Sequence, residues 1–294
     1  MNWIPVRQGG FWGYADTTRN IKITPQFDAA QPFKGKYAII EKNKKAFAID
    51  TTGKLLTPGF DQLVQLRDSV FFIYLNTVSD TLGGWGISTI SGRLILLPAY
   101  DQVEELSPTL YSFRKGEAWG VVNMEGVIIV SPVYDSVYVF QRDFILLRKG
   151  KKFGLVSVNG NRLLPDEFVS IYLSDRNLFA ALRKDKAASE DKPNGWGAVN
   201  ESGALVVPFG QDTIIPVSFY FTSARPPGSD SLACFFPRAP GASTPAMYKS
   251  LSVINLFWIR LINYDGLCGV ADSSGNMILP VEFKEIMLAG YGMW

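Results

Sequence analysis

Short apolar runs alternate with glycine-containing turns along the whole chain. Residues 83–101, GGWGISTISGRLILLPAYD, show the pattern: an aromatic residue beside glycine, a polar turn ending at Gly92, an apolar run, then proline, an aromatic residue and aspartate. Apolar runs of this length between turn residues are typical of β-strands. The stretch predicts two strands joined by a turn. A third strand is predicted to begin at the Tyr-Asp pair, and a fourth leads into the next aromatic-glycine pair.

This stretch recurs in register seven times. The residues at the position of its second glycine are Gly13, Phe47, Gly86, Gly120, Gly154, Gly197 and Gly269, and a proline follows 11 or 12 residues after each of them. Self-similarity of this kind is the mark of a repeat architecture, here with about four antiparallel strands in each unit. We interpret the proline as the end of the second strand, because proline lacks a backbone donor.

The repeat predicts an all-β, tandem antiparallel β-repeat protein. Repeats of about 40–45 residues with four strands favour a propeller-like closed ring, here of about seven short units, although several spacings are shorter. Residues 3–8 resemble a fourth strand placed before the first unit, and this N-terminal strand could complete the last unit and close the ring. An open twisted β-solenoid is the alternative. In both cases we predict a single β-repeat domain over residues 1–294.

The pattern breaks at residues 213–257. This segment contains Pro216, Pro226, Pro227, Pro237, Pro240 and Pro245, and it lies in the 72-residue gap between Gly197 and Gly269. It is either a Pro-rich insertion or a degenerate eighth repeat. Long irregular segments in compact domains are often functional. Aromatic residues without a place in the repeat are therefore the candidate partner contacts: Phe219, Tyr220, Phe221, Phe235 and Phe236.

The signature Trp-Gly-x-x-Asp-x-x-Gly-(Lys/Arg), followed by an apolar run and Pro-x-(Tyr/Phe)-Asp, resembles the WG-repeat family of bacterial proteins. The likeness is greatest at residues 85–101 and 119–135, and Ala46-Phe47 and Cys268-Gly269 depart from it. The resemblance implies an all-β repeat protein that mediates binding, usually without catalytic activity. It also implies that the signature positions are structural: Trp12, Gly13, Trp85, Gly86, Trp119, Gly120, Gly154, Trp196, Gly197 and Gly269.

Two sets of repeated side chains invite a functional interpretation. The tryptophans could form sugar platforms, but Phe153, Ala46 and Cys268 replace them in other units, which favours a packing role. The aspartates at the start of the third strand could be glycosidase carboxylates or calcium ligands: Asp28, Asp61, Asp101, Asp135 and Asp212. A glycosidase needs one asymmetric carboxylate pair, whereas these aspartates occupy equivalent positions. We therefore interpret them as structural residues at the turn or at the start of the third strand.

Composition narrows the function classes further. The chain has 294 residues, no histidine and a net charge of +2, with 29 basic and 27 acidic residues. The missing histidine excludes His-dependent triads and His-containing zinc sites, and the balanced charge gives no signature of a nucleic-acid partner. Cys234 and Cys268 are predicted to be free buried thiols. No catalytic, cofactor-binding or metal-ligating residue is predicted, and no cofactor is expected.

The sequence therefore predicts a non-enzymatic β-repeat scaffold that binds another protein, with residues 213–257 as the favoured contact region. The alternative is a carbohydrate or cell-envelope binding module that uses the repeat aromatics. An enzyme acting through carboxylates alone is a third, less favoured hypothesis. No apolar run is long enough for a transmembrane helix. We expect a cytoplasmic protein if the chain is complete, and an envelope or secreted protein if a leader was removed.

Overall fold

The computed structural model describes residues 3–67, 69–79, 82–141, 143–175, 178–184, 194–218, 220–237, 239–244 and 247–286. These residues form antiparallel strands throughout, which confirms the prediction of an all-β repeat protein. No helix long and apolar enough to cross a membrane occurs within these ranges. By their contacts the residues fall into two compact units, Met1–Val139 and Phe140–Trp294.

Four sheets follow one another in the first part of the chain. Their strands are β1 (Ile4–Gln8), β2 (Phe11–Ala15) and β3 (Ile21–Phe27); β4 (Ala29–Ala30), β5 (Ala38–Lys42) and β6 (Lys45–Ile49); β7 (Gln62–Arg67), β8 (Val70–Ser79), β9 (Leu82–Thr89) and β10 (Leu94–Tyr100); and β11 (Gln102–Ser107), β12 (Leu110–Lys115), β13 (Ala118–Asn123) and β14 (Ile128–Tyr134). Within each sheet, neighbouring strands in sequence are neighbours in space.

Three further sheets follow in the same manner. Their strands are β15 (Ser136–Phe140), β16 (Phe144–Lys149), β17 (Lys152–Ser157), β18 (Arg162–Asp175), β19 (Leu178–Arg183), β20 (Gly195–Asn200) and β21 (Leu205–Gln211); β22 (Thr213–Ser218), β23 (Phe221–Arg225) and β24 (Ala233–Phe235); and β25 (Tyr248–Val253), β26 (Trp258–Asn263), β27 (Cys268–Asp272) and β28 (Met277–Phe283). The 14-residue strand β18 pairs with β17 through its first half and with β19 through its second half.

The sheets are offset by half a unit from the sequence repeat. In the sheet β11–β14, the Trp119-Gly120 strand and the apolar strand that follows it are the last two strands. The first two strands of that sheet follow Tyr100-Asp101 and belong to the preceding sequence unit. The N-terminal strand takes the place predicted for a fourth strand, since β1 pairs with β2. The choice between a closed ring and an open solenoid depends on how the two units are arranged. Both architectures therefore remain predictions.

In six of the seven units the proline lies in a β-bulge inside a strand and does not end that strand, so the interpretation of proline as a strand terminator was wrong. Pro58, the proline of the second unit, lies outside the strands. Trp119 pairs with Tyr134 and Val121 pairs with Val130, so two extra residues of β14 stand opposite Gly120. The same shift separates Trp12↔Phe27 from Tyr14↔Ile23. Proline is tolerated at such a bulge because the extra residues leave the hydrogen-bonded ladder. The strand then continues to the aromatic residue that pairs with the signature tryptophan.

Residues 213–257 contribute four strands, β22 to β25. Strand β23 pairs with β22 and β24, and β25 is the first strand of the last sheet. Isolated bridges extend the three-stranded sheet, because Phe235 pairs with Ser243 and Leu232 with Tyr248. Pro216 lies within β22, and Pro226, Pro227, Pro237 and Pro240 lie in connecting segments, whereas Pro245 is outside the described residues.

The hydrophobic core lies between consecutive sheets. In the first unit, Val70 and Ile87 of the sheet β7–β10 pack with Tyr111 and Phe113 of the sheet β11–β14. In the second unit, one core cluster joins β23 and β24 to the last sheet: Phe221, Cys234, Phe236, Tyr248, Ile259, Leu261 and Ala271. Within each unit, clusters of this kind join consecutive sheets.

Candidate interaction site

The aromatic-glycine pair of each unit is part of the packing between strands. Trp12, Trp85 and Trp196 are half-buried, and each packs against a core cluster formed by its own sheet and the following sheet. The glycines beside Trp12 and Trp85 lie against the backbone of the bulged strand, and Gly197 lies against the Phe209 ring. At Gly13, an added Cβ would stand 2.3 Å from the carbonyl oxygen of Ile23. Only glycine allows this approach, because any larger residue would push the neighbouring strand away.

The aspartates that follow the bulge bind the tip of the next hairpin. The backbone N–H of Gly116 donates to Asp101 Oδ2 at 2.6 Å, and the same bond recurs in other units with the donor 15 or 16 residues further along the chain. These bonds are Asn43 N–H to Asp28 at 2.7 Å, Asn76 N–H to Asp61 at 2.8 Å and Gly228 N–H to Asp212 at 3.0 Å. Each carboxylate thus satisfies a backbone donor at a hairpin tip, which is a structural role.

The polar residue three positions after the signature glycine closes the turn between the first two strands. Asp16 Oδ1 accepts hydrogen bonds from the N–H groups of Thr18 and Asn20, both at 2.9 Å. Asn123 and Asn200 make the same pair of bonds in their units. The Thr18 hydroxyl, the Asn20 N–H and the Lys22 ammonium together lower the pKa of the Asp16 carboxyl below its usual range.

Replacing Asp16 by asparagine should make the free energy of unfolding less dependent on pH in acidic solution. Because the folded-state pKa is lowered, the ionised Asp16 stabilises the fold above the unfolded pKa of about 4, and this contribution is lost as the pH falls further. Asparagine keeps the acceptor without the charge, as Asn123 does. Urea unfolding of wild type and Asp16→Asn at a series of pH values from neutral to acidic measures the difference. Equal pH dependence of the two proteins would contradict this assignment.

The structure buries most of the aromatic residues predicted to contact a partner. Phe221 and Phe236 are fully buried, and Phe235 is 7% exposed. Their rings contact the core of the chain and are not available as an exposed anchor. Tyr220 is half-buried, and Phe219 lies outside the described residues.

An exposed apolar surface lies nearby, at the turn between β25 and β26. We call Val253, Leu256, Phe257 and Trp258 the apolar tip; Leu256 is 63% exposed and Phe257 is 56% exposed. The ring of Tyr220 lies 5.7 Å from that of Phe257. By contrast, the corresponding turn between β11 and β12 carries the polar residues 107–109, Ser-Pro-Thr. Contiguous exposed apolar groups of this kind mark interaction surfaces.

The apolar tip has a defined backbone. Asn255 Oδ1 accepts hydrogen bonds from the N–H groups of Phe257 at 2.8 Å and Trp258 at 3.0 Å. The N–H of Ile254 donates to the carbonyl oxygen of Trp258 at 3.0 Å. Leu256 and Phe257 fall inside the predicted contact region 213–257, but they were not among its candidate contact residues. Asn255 was the available signal, since asparagine favours turns by bonding to backbone N–H groups nearby.

Other candidate chemistry is limited in the part of the chain that the structure describes. No group of three or more acidic or cysteine side chains gathers there to hold a metal ion. Cys234 and Cys268 are both free and buried. Burial raises the pKa of the Cys234 thiol to about 12, so at neutral pH this group is a protonated core side chain rather than a nucleophile.

Comparison with known families agrees with this architecture. The WG containing repeat model matches residues 12–45 and 119–153. Two segments of the chain thus match the WG repeat. In these two WG repeats the structure shows the close glycine approach and the strand turn described above, and the resemblance stated from the sequence is confirmed. No curated protein matches the chain significantly.

Solved structures with a similar course of the chain include WD40 domains. The C-terminal WD40 domain of Sif2 is 10% identical over 82% of this chain and 79% of its own, with a TM-score of 0.27. The WD40 β-propeller domain of Doa1 is 14% identical over 61% and 68%, with a TM-score of 0.22. AztD of Citrobacter koseri is 11% identical over 80% and 77%, with a TM-score of 0.26. The TM-scores are low, and the all-β assignment rests on the strands of this chain.

Proposed function

We propose that this chain is a non-enzymatic WG-repeat scaffold that binds another protein through the apolar tip. The observation that carries the proposal is the exposure of Leu256, Phe257 and Trp258 at one ordered turn. Large apolar side chains at the centre of an interface supply most of its binding free energy. The contact thus lies at the C-terminal end of the region predicted from the sequence, and not at its buried phenylalanines.

The order of the tip supports binding by a preformed surface. The Asn255 side chain holds the backbone of Phe257 and Trp258, so less conformational entropy is lost when a partner covers them. A partner that fits this surface presents an apolar pocket, since the residues from Val253 to Trp258 include no acidic or basic side chain.

The double variant Leu256→Ser/Phe257→Ser tests the proposal. Immobilised wild-type chain would first capture a partner, identified by mass spectrometry, and the purified partner would then be titrated against wild type and variant by calorimetry. We expect affinity to fall at least about tenfold, because the variant removes the apolar anchors. Leu97→Ser is the matched control, because Leu97 is equally exposed (55%) but lies outside the tip.

Loss of affinity in the tip variant, with affinity retained in Leu97→Ser, would support the tip as the contact surface. Equal affinity of wild type and tip variant, with both folded by circular dichroism, refutes it. Turnover of a substrate by the wild-type chain would refute the non-enzymatic part of the proposal.

A further inference from the structure

A cavity of about 180 Å³ lies beside Trp119 in the first unit. Its lining is formed by Glu104, Leu106 and Ser112 of the first two strands of the sheet, Trp119, and residues 136–138 of β15. Tyr138 is half exposed at its edge, and the Glu104 side chain is exposed, so the cavity opens to solvent. Trp119 is the signature tryptophan of one of the two matched WG repeats.

Two cavity-lining positions that are apolar in the preceding sheet are polar here. Glu104 and Ser112 are cross-strand partners in this sheet. The corresponding pair in the sheet β7–β10 is Val64 and Phe72, and the Phe72 ring packs against the core there. A serine in place of such a ring leaves the space beside the tryptophan unfilled. Departures from a local rule of the fold often mark functional positions.

Two hydroxyl groups in this cavity have no partner. Ser112 is 1% exposed, and neither its Oγ atom nor the buried Oγ of Ser136 makes a hydrogen bond in the structure. Both residues line the cavity. A buried hydroxyl without a hydrogen bond is unfavourable, so a ligand that both donates and accepts hydrogen bonds would be stabilised there.

The charges around Trp119 favour a neutral ligand. The guanidinium of Arg114 lies 5.9 Å from the centre of the Trp119 ring. Arg114 Nε donates to Gln102 Oε1 at 3.3 Å, and Gln102 Nε2 donates to Glu104 Oε1 at 2.6 Å. This network places one positive and one negative side chain at the site. An ionic ligand would be attracted by one of them and repelled by the other.

We propose that the Trp119 cavity binds a single pyranose ring of a neutral carbohydrate. The tryptophan ring suits the apolar C–H face of a sugar, the two serine hydroxyls suit its hydroxyl groups, and Glu104 accepts a further hydrogen bond at the edge. The volume is below the usual range of about 300–1,000 Å³ for larger ligands, which fits one ring. The apolar tip is a separate surface, and this proposal does not depend on it.

Saturation-transfer NMR tests the proposal with a panel of single-ring probes: methyl β-glucopyranoside, methyl α-mannopyranoside, methyl β-galactopyranoside and N-acetylglucosamine. We expect transfer to at least one probe in wild type. Ser112→Phe restores the ring found at Phe72 and fills the cavity, so affinity should fall at least about tenfold. Glu104→Val copies Val64 at an exposed position and gives a second measurement if Ser112→Phe does not fold. Trp85→Leu is the control, since Trp85 is the signature tryptophan of the preceding unit and packs on the core there.

Saturation transfer to a sugar probe that is lost in Ser112→Phe or Glu104→Val and kept in Trp85→Leu supports a sugar site at Trp119. No transfer to any probe, or transfer unchanged in both cavity variants, overturns it. Binding of tetramethylammonium but of none of the sugars overturns it as well, because the site would then recognise a cation.

Discussion

Replacing Phe221 by alanine is expected to lower the free energy of unfolding by about 4 kcal/mol. Its ring is fully buried and stands edge-on to Phe236, with ring centres 5.9 Å apart. The surrounding cluster joins β23 and β24 to the last sheet, so the lost ring leaves a cavity between two sheets. Urea unfolding followed by circular dichroism measures the change.

Phe257→Ala is the matched control for Phe221→Ala. The two substitutions remove the same atoms from the same segment of the chain, but Phe257 is 56% exposed. Its loss should change the free energy of unfolding by no more than about 0.5 kcal/mol. Equal effects of both variants would mean that residues 213–257 are a loop packed loosely on the scaffold. The predicted difference would instead show that the segment is an integral part of the sheet succession.

The repeat made most of the architecture predictable from the sequence. A motif with seven copies in register predicts the number of strands, the positions of the turns and the antiparallel order together. The residues at the turns agree with this prediction. Gly92, predicted to make the turn after the first strand, has a φ of +82°. The half-unit offset was not predictable, because every strand pairs with its sequence neighbour whichever grouping is chosen. Only the hydrogen bonds show where one sheet ends and the next begins.

The functional surfaces were less predictable for physical reasons. Phe221 and Phe236 seemed to lack a place in the repeat because prolines obscure the periodicity of their segment, yet they fill core positions. Leu256 and Phe257 of the apolar tip were not singled out within residues 213–257, because hydrophobicity alone does not distinguish a buried apolar side chain from an exposed one. The Trp119 cavity depends on Ser112 and Glu104, which become informative only once the cross-strand partners of each sheet are aligned.

The second large effect is expected at the signature glycine. Gly86→Ala should cost about 3 kcal/mol of stability, at the upper end of the usual cost of overpacking. An added Cβ would stand 2.6 Å from the backbone nitrogen of Pro98, 2.7 Å from the carbonyl oxygen of Leu96 and 2.8 Å from the carbonyl carbon of Leu97. All three atoms belong to the backbone of the bulged strand, so no side chain can rotate away. The strand itself must move, with loss of its pairing.

The unit that lacks this glycine is subject to the same steric constraint, but there the glycine is on the facing segment. Phe47 stands at the signature position, and Gly59 lies across from it, where an added Cβ would be 2.8 Å from the Phe47 ring. The facing segment there makes only isolated bridges, Ala46↔Phe60 and Ile49↔Leu55, in place of a continuous strand. One of the two facing residues must therefore be glycine, and a phenylalanine on one side is accompanied by the loss of a regular fourth strand.

Gly116→Ala separates this steric effect from a general cost of replacing glycine. Gly116 lies at an open hairpin tip with a φ of +62° and no atom near its added Cβ. Alanine there should cost only about 1–2 kcal/mol, from the left-handed backbone alone. Urea unfolding of both variants should therefore rank Gly86→Ala as the more damaging change. If the two cost the same, backbone conformation rather than close strand approach would explain why the repeat keeps its glycine, and the Trp-Gly pair would no longer be a packing device of the bulge.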